Sequence, residues 1–287
     1  MSMRRIKLTV AYDGTDYSGW QSQENADTVE DRLNEALRSL LVDCHDPLLV
    51  GIGDADSGLP DSLSGDVAHD DTSVKDAGSI VIGASRTDAG VHAEGNVAVF
   101  DTEARMAADR FAYALNVRLP EDIRILRSEE VPGDFHPRYS PSHKTYEYQI
   151  LNTSIPIPTY TRYMHHIYED IDINKMREAV DLFIGEHDFS AFCSAGAQVK
   201  SKVRTITALS IDEASIDPKP CRIIRIRITG TGFLYNMVRI IAGTLIEVGL
   251  GRRSIDTVRQ AIETGDRQLA GPTAPARGLT LKQIIYD

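Results

Sequence analysis

The sequence has few cysteines and no long apolar run, and both absences exclude classes of protein. Its three cysteines, Cys44, Cys193 and Cys221, are far apart and form no CxxC pair, so neither a disulfide framework nor a zinc site is indicated. No apolar run approaches the roughly 20 residues that span a bilayer. The first residues, MSMRRIKLTVAY, are basic and then alternate, unlike a secretory signal. We therefore expect a cytoplasmic protein without a membrane segment.

Positive charge is also scarce, because 31 Lys and Arg stand against 42 Asp and Glu, a formal net charge of −11. At first sight this argues against a nucleic-acid partner. Residues 45–79 account for much of the imbalance, with eight Asp, five Gly and one Lys. Their lack of hydrophobic periodicity predicts an inserted, mobile loop. Basic residues cluster elsewhere, at 4–7, 118–127, 200–204, 222–227 and 252–253. An acidic protein of this kind can still present a basic groove.

Hydrophobic alternation at Ile6, Leu8 and Val10 predicts a first strand. Thr28 to Asp31 (TVED) resembles the capping box that begins a helix. The pattern then predicts strands near 79–84 and 95–101, a helix near 105–117 and a strand near 123–131. These elements follow the order β-α-β-β-α-β, which is that of a ferredoxin-like domain.

The second part of the chain repeats this order. We predict a strand at KTYEYQILN, a helix from Asp172 to Gly185, strands near 203–213 and 221–230, helices at 233–248 and 254–264, and a strand near 278–286. The sequence therefore predicts an α+β fold with two tandem ferredoxin-like halves, 1–132 and 143–287. Their mixed, mainly antiparallel sheets would be flanked by helices, and the Pro-containing stretch between them would separate the halves.

The stretch ASRTDAGVHAEG, residues 84–95, places charged side chains among small ones in a turn between two predicted strands. Arg86 and Asp88 are two residues apart, so in extended geometry they point the same way. A guanidinium beside a carboxylate lowers the pKa of the carboxyl and keeps it ionised, as a nucleophile or base requires. The alternative is a turn aspartate with a local hydrogen bond and a solvated arginine. His92 is expected to be structural.

Further motifs follow one another along the chain. They are YDGTDYSGWQSQ, SRTDAGVHAEGNVAVF, DFHPRYS, KTYEYQI, DFSAF, FLYNMVRIIAGTLIEVG and TAPARGLTL. Together they resemble the tRNA pseudouridine synthase A family, and the resemblance covers nearly the whole chain except 45–79. It implies isomerisation of uridine to pseudouridine in the anticodon arm of tRNA, at the positions numbered 38 to 40. It also implies a homodimer, a catalytic cleft between the halves, and neither a metal nor an organic cofactor.

The resemblance also assigns roles to single residues. Asp88 matches the family's catalytic aspartate, and Tyr146, the first tyrosine of the YxY strand, matches its active-site tyrosine. Arg239 of the MVR helix matches the arginine that pairs with the aspartate, and Arg86 matches the arginine thought to displace the target base. The family usually has glycine where Ser85 stands, which leaves the local geometry there open.

These residue types suit the chemistry. Uracil must leave C1′ of the ribose, rotate and rejoin through C5, so the base must first be flipped out. Asp88 could attack C1′, as in glycosidases, or take a proton from C2′ to give a glycal, and the sequence does not choose between these routes. Tyr146 could stack on the flipped base, or it could be a core strand tyrosine. Arg239 lies among apolar helix residues, where a buried charge needs a partner.

Two other function classes compete with this interpretation. A tandem RNA-recognition module without activity would carry the aromatic RNP run on a central strand, and the sequence contains no such run. A metabolic enzyme on a ferredoxin-like scaffold would need a phosphate-binding loop or a metal cluster, and the sequence shows neither pattern.

Overall fold

The computed structural model describes residues 3–44, 80–196, 199–217 and 220–287. The insertion predicted at 45–79 lies outside the described residues. The described strands are β1 Arg4–Tyr12, β2 Ile82–Gly83, β3 His92–Thr102, β4 Ile123–Val131, β5 Ser142–Thr153, β6 His165–Ile167, β7 Gly185–Asp188, β8 Val203–Ser215, β9 Cys221–Gly230 and β10 Leu279–Tyr286. The helices are α1 Val29–Asp43, α2 Arg110–Asn116, α3 Pro158–Thr161, α4 Ile173–Glu178, α5 Met237–Gly249 and α6 Ile255–Thr264.

The described strands form one open sheet in the order β4-β1-β3-β10-β5-β9-β8-β7, with β2 paired to β3 and β6 to β5. Most neighbours are antiparallel, whereas β3–β10 and β5–β6 are parallel. The predicted α+β class and the mainly antiparallel pairing are confirmed. The sheets of the two predicted halves are not separate, however. Thr280 and Leu281 of β10 pair with His92 and Ala93 of β3, so a single sheet runs through both.

Helix α1 forms where the sequence predicts it. Thr28 is its N-cap, and the side chain accepts a hydrogen bond from the backbone N–H of Asp31, which satisfies a donor that the first turn leaves free. The apolar face is buried against the sheet through Leu33, Leu37 and Leu41. Local sequence therefore specifies both the start of this helix and its packing face.

Three predicted boundaries were wrong. Helix α5 begins at Met237 rather than near 233, because Asn236 adopts a left-handed conformation with φ 60°. The helix capped by Asp172 ends at Glu178 and is followed by a 3₁₀ turn, and Gly185, expected to end that helix, instead opens β7. Helix α2 is also shorter than predicted and covers only Arg110–Asn116.

One hydrophobic core joins both predicted halves. Leu8 and Leu37 belong to the same buried cluster as Tyr148, Ile226 and Ile241, and all five side chains are fully buried. The core thus places elements from both ends of the chain around the β3–β10 junction. Among the described helices, none is long and apolar enough to cross a membrane.

Candidate active site

The segment that carries Asp88 connects β2 to β3, at the junction where β3 meets β10. Backbone contacts fix it on both sides. The N–H of Trp20 donates to the carbonyl of Thr87 at 3.0 Å, and the N–H of Val91 donates to that of Asp88 at 3.1 Å. Gly90 has φ +76°, a conformation that residues with a Cβ rarely adopt. The small residues of the motif therefore allow a tight turn that presents Asp88.

Arg239 of α5 lies opposite this turn. Its Nη1 donates to Oδ2 of Asp88 at 3.0 Å, and the two side chains are 16% and 21% exposed. The guanidinium also donates from Nε to the carbonyl of Ala274 at 2.8 Å and from Nη1 to Oδ1 of Asn236 at 2.7 Å. Three acceptors thus fix its orientation. The structure brings Asp88 and Arg239 together as the resemblance implied.

The pKa of Asp88 is raised, although the guanidinium of Arg239 acts to lower it. Burial raises the pKa of this carboxyl above its ordinary value, because a low-polarity environment disfavours the charged form. The hydrogen bond and the charge of Arg239 lower the pKa without cancelling the effect of burial. The lowering effect of a guanidinium, which the sequence predicts, is therefore present, but burial is the larger effect and sets the net direction of the pKa shift.

Tyr146 lies on β5 and is buried, with 7% of its surface exposed. Its hydroxyl is 2.7 Å from Oγ of Ser85, and its ring meets that of Phe233 edge to face, with centroids 5.3 Å apart. Burial raises the pKa of Tyr146 to about 12, so the phenol stays neutral. Ser85, the departure from the family's usual glycine, contributes the hydroxyl of this contact.

Arg86 does not join the Asp88 pair. Its side chain is exposed, and the carboxylate of Asp88 is bound by Arg239 instead. Within the part of the chain that the structure describes, no hydrogen bond or ion pair engages the Arg86 guanidinium. The expectation that Arg86 and Asp88 point the same way thus does not produce a contact, and Arg86 is left free for another partner.

Asp13 connects the site to the second half of the chain. Its Oδ2 accepts from Nε of Arg162 at 2.9 Å and from the hydroxyl of Tyr163 at 3.0 Å. Burial would raise the pKa of Asp13, but hydrogen bonds from Thr15, Tyr163 and Arg162 outweigh it and hold the pKa at about 2. Nδ1 of His92 lies 3.1 Å from the same carboxylate.

His92 is buried, as a structural histidine would be. The backbone N–H of Gly14 donates to its Nδ1 at 3.1 Å, which requires that nitrogen to be unprotonated. Burial lowers the pKa of His92 although the nearby carboxylate of Asp13 opposes this. The ring of His92, the first residue of β3, is therefore packed as a neutral group.

Sequence reasoning assigned no role to Asn236, Phe233 or Lys144, although all three lie in motifs that it quoted. Asn236 positions Arg239, and Phe233 packs on Tyr146. The Nζ of Lys144 donates to the carbonyl of Ala84 at 2.9 Å. A polar residue directly before an apolar helix is a signal for a helix start, and it could have identified Asn236. Among the described residues, no group of three or more His, Cys, Asp or Glu could hold a metal ion.

The fold and the site together place a partly buried carboxylate, held by a guanidinium, beside the β3–β10 junction of one α+β sheet. The family model for tRNA pseudouridine synthase matches residues 8–140 and 179–287, which includes Asp88 and Arg239. The chain belongs to the tRNA pseudouridine synthase family, and the expectation of an isomerase is confirmed.

Individual relatives narrow the assignment within the family. The tRNA pseudouridine synthase A of Acetivibrio thermocellus is 42% identical over 284 residues, which cover 99% of this chain and all of the relative. The tRNA pseudouridine synthase A 2 of Clostridium tetani is 41% identical over 286 residues, 99% of both chains. The tRNA pseudouridine synthase A of Ruminiclostridium cellulolyticum is 42% identical over 284 residues, 99% of this chain and all of the relative. These full-length matches favour the enzyme over a non-catalytic RNA-binding module.

Proposed function

We propose that this protein isomerises uridine to pseudouridine in the anticodon arm of tRNA, at positions 38 to 40, with Asp88 as its catalytic residue. The observation that carries the proposal is the Asp88–Arg239 pair. A carboxylate with 21% of its side chain exposed lies 3.0 Å from a guanidinium that is itself fixed by two further acceptors. Such a carboxylate can reach a ligand while its orientation is set in advance.

The reaction moves one bond on the base. The bond from C1′ to N1 breaks, uracil rotates, a bond from C1′ to C5 forms, and the proton lost from C5 is balanced by one gained at N1. Positive charge builds at C1′ when the base leaves, as in glycoside hydrolysis. Asp88 meets this need either by attacking C1′ or by taking a proton from C2′ to give a glycal. Both routes require the ionised carboxylate.

Arg239 orients Asp88 and opposes the effect of burial on its pKa. Without that opposition, desolvation would favour the protonated acid, which can serve neither route. We assign Arg239 this supporting role because its guanidinium is bound on three sides and has no freedom to follow a moving substrate.

Arg86 and Tyr146 would handle the flipped nucleotide. Extruding a base from a stem costs a few kcal/mol, and the exposed guanidinium of Arg86, which no described residue engages, could occupy the place that the base leaves. Tyr146 would pack against the uracil through the small part of its surface that remains exposed. Its hydroxyl contact with Ser85 and its contact with Phe233 hold that ring in place.

The two halves, 1–132 and 143–287, would each be a ferredoxin-like repeat. The strand orders β4-β1-β3-β2 and β10-β5-β9-β8, with antiparallel neighbours throughout, support this proposal. Asp88 and Arg86 belong to the first half and Tyr146 and Arg239 to the second, so the proposed cleft lies between the halves. We further propose a cytoplasmic homodimer that needs neither a metal nor an organic cofactor.

Replacing Asp88 with Asn tests the function. Anticodon-arm tRNA labelled with tritium at C5 of uridine should release tritium with the wild-type chain and none with Asp88→Asn. Carbodiimide mapping should place the product at positions 38 to 40 in the wild-type reaction. Binding of tRNA, measured by filter retention, should persist in the variant, because the amide keeps the shape of the carboxyl.

The control is Asp256→Asn, which changes an exposed aspartate on α6 that pairs with Arg259 and should be fully active. Turnover by Asp88→Asn at the wild-type rate would remove Asp88 from its role. Release of no tritium by the wild-type chain would contradict the proposed function itself.

A further inference from the structure

Two cationic side chains hold the chain just before the catalytic turn. Nε of Arg138 donates to the carbonyl of Gly83 at 2.8 Å, and Nζ of Lys144 donates to the carbonyl of Ala84 at 2.9 Å. These carbonyls lie five and four residues before Asp88. Both cations come from outside the first half, Arg138 from the connecting segment and Lys144 from β5. Adjacent carbonyls of the N-terminal half are therefore bound by charged donors from the other side of the site.

Two further residues of the segment, Ser85 and Thr87, are also held. The carbonyl of Ser85 accepts from Nδ2 of Asn96 at 3.0 Å, and Oγ1 of Thr87 is 2.7 Å from the hydroxyl of Tyr12. Asn96 and Tyr12 are neutral and buried, and they belong to the first half. Lys144 differs from them because it is charged and reaches across the junction.

Lys144 reaches this position because of its place in β5. It is two residues before Tyr146, so the two side chains share one face of the sheet. Its partner in β9 is Gly230. A Cβ at Gly230 would lie 2.6 Å from the carbonyl oxygen of Thr205 and 3.2 Å from Cζ of Phe233, so the chain beside Lys144 is closely packed and has no room for a side chain at that position. Nζ of Lys144 reaches the backbone carbonyl of Ala84.

Lys144 has no carboxylate partner among the described residues, and its contact is a backbone carbonyl. Burial, and next the positive charge of Arg138, lower the pKa of its ammonium to about 8. The other titratable groups on β5 and the neighbouring β10 have partners of their own: Glu147 pairs with Arg227, His143 lies near Asp287, Lys282 pairs with Glu94, and the Tyr286 hydroxyl donates to the carbonyl of Pro137. Tyr146 on β5 stays neutral, and Asp88 on the catalytic segment pairs with Arg239. A buried cation without a counter-charge is costly, so a structural requirement alone would be met better by a neutral donor.

We infer that Lys144 is a positioning residue for the isomerisation, whose ammonium fixes the Ala84 carbonyl and thereby the approach of Asp88 to the ribose. The inference rests on the proposed function. A hydrogen bond from a charged donor is stronger than one from a neutral donor. A displacement of about 1 Å at a reacting group can cost roughly 100-fold in rate. Loss of the charge should therefore reduce the rate of the chemical step and leave the affinity for tRNA unchanged.

The test compares Lys144→Met, which removes the charge and keeps the length of the chain, with Lys144→Arg, which keeps the charge. The single-turnover rate should fall roughly 10- to 100-fold in the Met variant, while the Kd for tRNA stays within about twofold of wild type. The Arg variant should recover part of the rate. Lys175→Met, on the exposed surface of α4, is the matched control and should behave as wild type.

The pH profile separates positioning from simple packing. The lowered pKa means that the ammonium is present below about pH 8 and is lost as pH rises through that value. The wild-type rate should therefore fall on the alkaline side of about pH 8, and so should that of Lys175→Met. The Lys144→Met rate should lack this fall. If the Met variant does not fold, the wild-type profile decides, and a rate that stays level to pH 9 would overturn the inference.

Two other results would also overturn it. A Lys144→Met variant with the full wild-type rate would show that the contact does not position Asp88. A loss confined to Kd would place Lys144 against the substrate instead. Failure of the proposed function looks different from failure of this inference. In the first case the wild-type chain would form no pseudouridine at any pH, whereas in the second case the wild-type chain would still be active.

Discussion

Asp88 is subject to two opposing effects, and both follow from its position. Burial favours the neutral acid, whereas Arg239 favours the carboxylate, and burial is the larger of the two. The raised pKa means that the ionised form, which the proposed reaction requires, is present above the folded-state pKa and is lost as pH falls through that value. The acid side of the rate profile should therefore report this balance directly.

We predict that Arg239→Met moves the acid limb of the rate to higher pH, because only the effect of burial would remain. A nearby opposite charge lowers a carboxyl pKa by about 1–3 units, so a shift of roughly 1 unit or more is expected. Arg239→Lys should shift less, since it keeps the charge but loses the planar geometry. Single-turnover rates measured across the acid range provide the check, with Arg259→Met on α6 as the control. Coincident acid limbs in all four proteins would show that Arg239 does not act on the ionisation of Asp88.

The sequence predicted the pairing of Asp88 and Arg239 only through the motif resemblance. It could not predict the pKa of Asp88, because burial depends on the tertiary fold and the paired Arg239 lies 151 residues further along the chain. The contact between Ser85 and Tyr146 also joins residues that are distant in sequence, 61 positions apart. Lys144 lies in the motif KTYEYQI, but its hydrogen-bond acceptor is a backbone carbonyl. A pattern of side chains in the sequence does not predict a contact of that kind.

Helix α5 supports Arg239 through close packing against the segment 271–275. The N–H of Gly271 donates to Oγ1 of Thr244 at 2.7 Å, and the N–H of Ala274 donates to the carbonyl of Arg239 at 3.1 Å. The carbonyl of Ala274 in turn accepts from the Arg239 guanidinium. A Cβ added at Gly243 would lie 1.9 Å from the carbonyl oxygen of Pro272. The helix and the segment can therefore meet only because position 243 has no side chain.

We predict that Gly243→Ala lowers both stability and activity. Within an ordinary helix this change would stabilise the protein by about 1 kcal/mol. Here the new methyl group would push the segment away, and overpacking of this kind costs about 1–3 kcal/mol. The displaced Ala274 carbonyl would release Arg239, so the rate should fall as well. Denaturant unfolding and single-turnover rates measure the two effects.

Gly133→Ala is the control for this prediction, because a Cβ at Gly133 meets nothing within 4 Å. Its free energy of unfolding should match that of wild type within about 0.5 kcal/mol. A Gly243→Ala variant that is as stable as wild type would mean that the segment moves aside at no cost.

The helices and strands differ in how far neighbouring residues in the sequence determine them. Helix α1 was predicted because its cap and its apolar face lie within one stretch of sequence. The start of α5 was not, because the left-handed conformation of Asn236 interrupts an apolar pattern that continues through it. The joining of two sheets into one depends on the pairing of β3 with β10, whose partners are almost 190 residues apart. No periodicity carries that information.

In the molecule as a whole, the cationic side chains differ in whether a carboxylate pairs with them. Arg4, Arg222 and Arg252 each pair with carboxylates on the surface. Arg86, Lys202 and Arg204, by contrast, have no carboxylate partner among the described residues. Arg204 donates to the carbonyls of Ser201 and Val203, and lies beside Gly232 in the loop that leads to α5. Charge pairing in the described part of the chain is therefore uneven, and the net charge of −11 does not mean that every cation has a carboxylate partner.

The acidic stretch 45–79 should weaken tRNA binding through its net charge of −7, from eight Asp and one Lys. The chain that follows this stretch is held to helix α1 by its own contacts. Oδ1 of Asn34 on α1 accepts hydrogen bonds from the N–H groups of Ile80 and Val81 at 2.9 and 3.1 Å. We therefore predict that replacing 45–79 with a short Gly/Ser linker preserves the fold and the position of the product. The Kd for tRNA should decrease at low salt.

The salt dependence identifies the cause of that gain. Screening lengths are about 30 Å at 0.01 M and about 8 Å at 0.15 M ionic strength, so an electrostatic gain should fade as salt rises. A full-length variant with all eight Asp of 45–79 changed to Asn removes the charge but keeps the length, and it should reproduce the gain. A gain from the linker that is unchanged by salt, or absent from the Asn variant, would point to length rather than charge. A linker protein that folds but makes no pseudouridine would mean that the stretch contributes to the site, because its charge alone cannot abolish the chemical step.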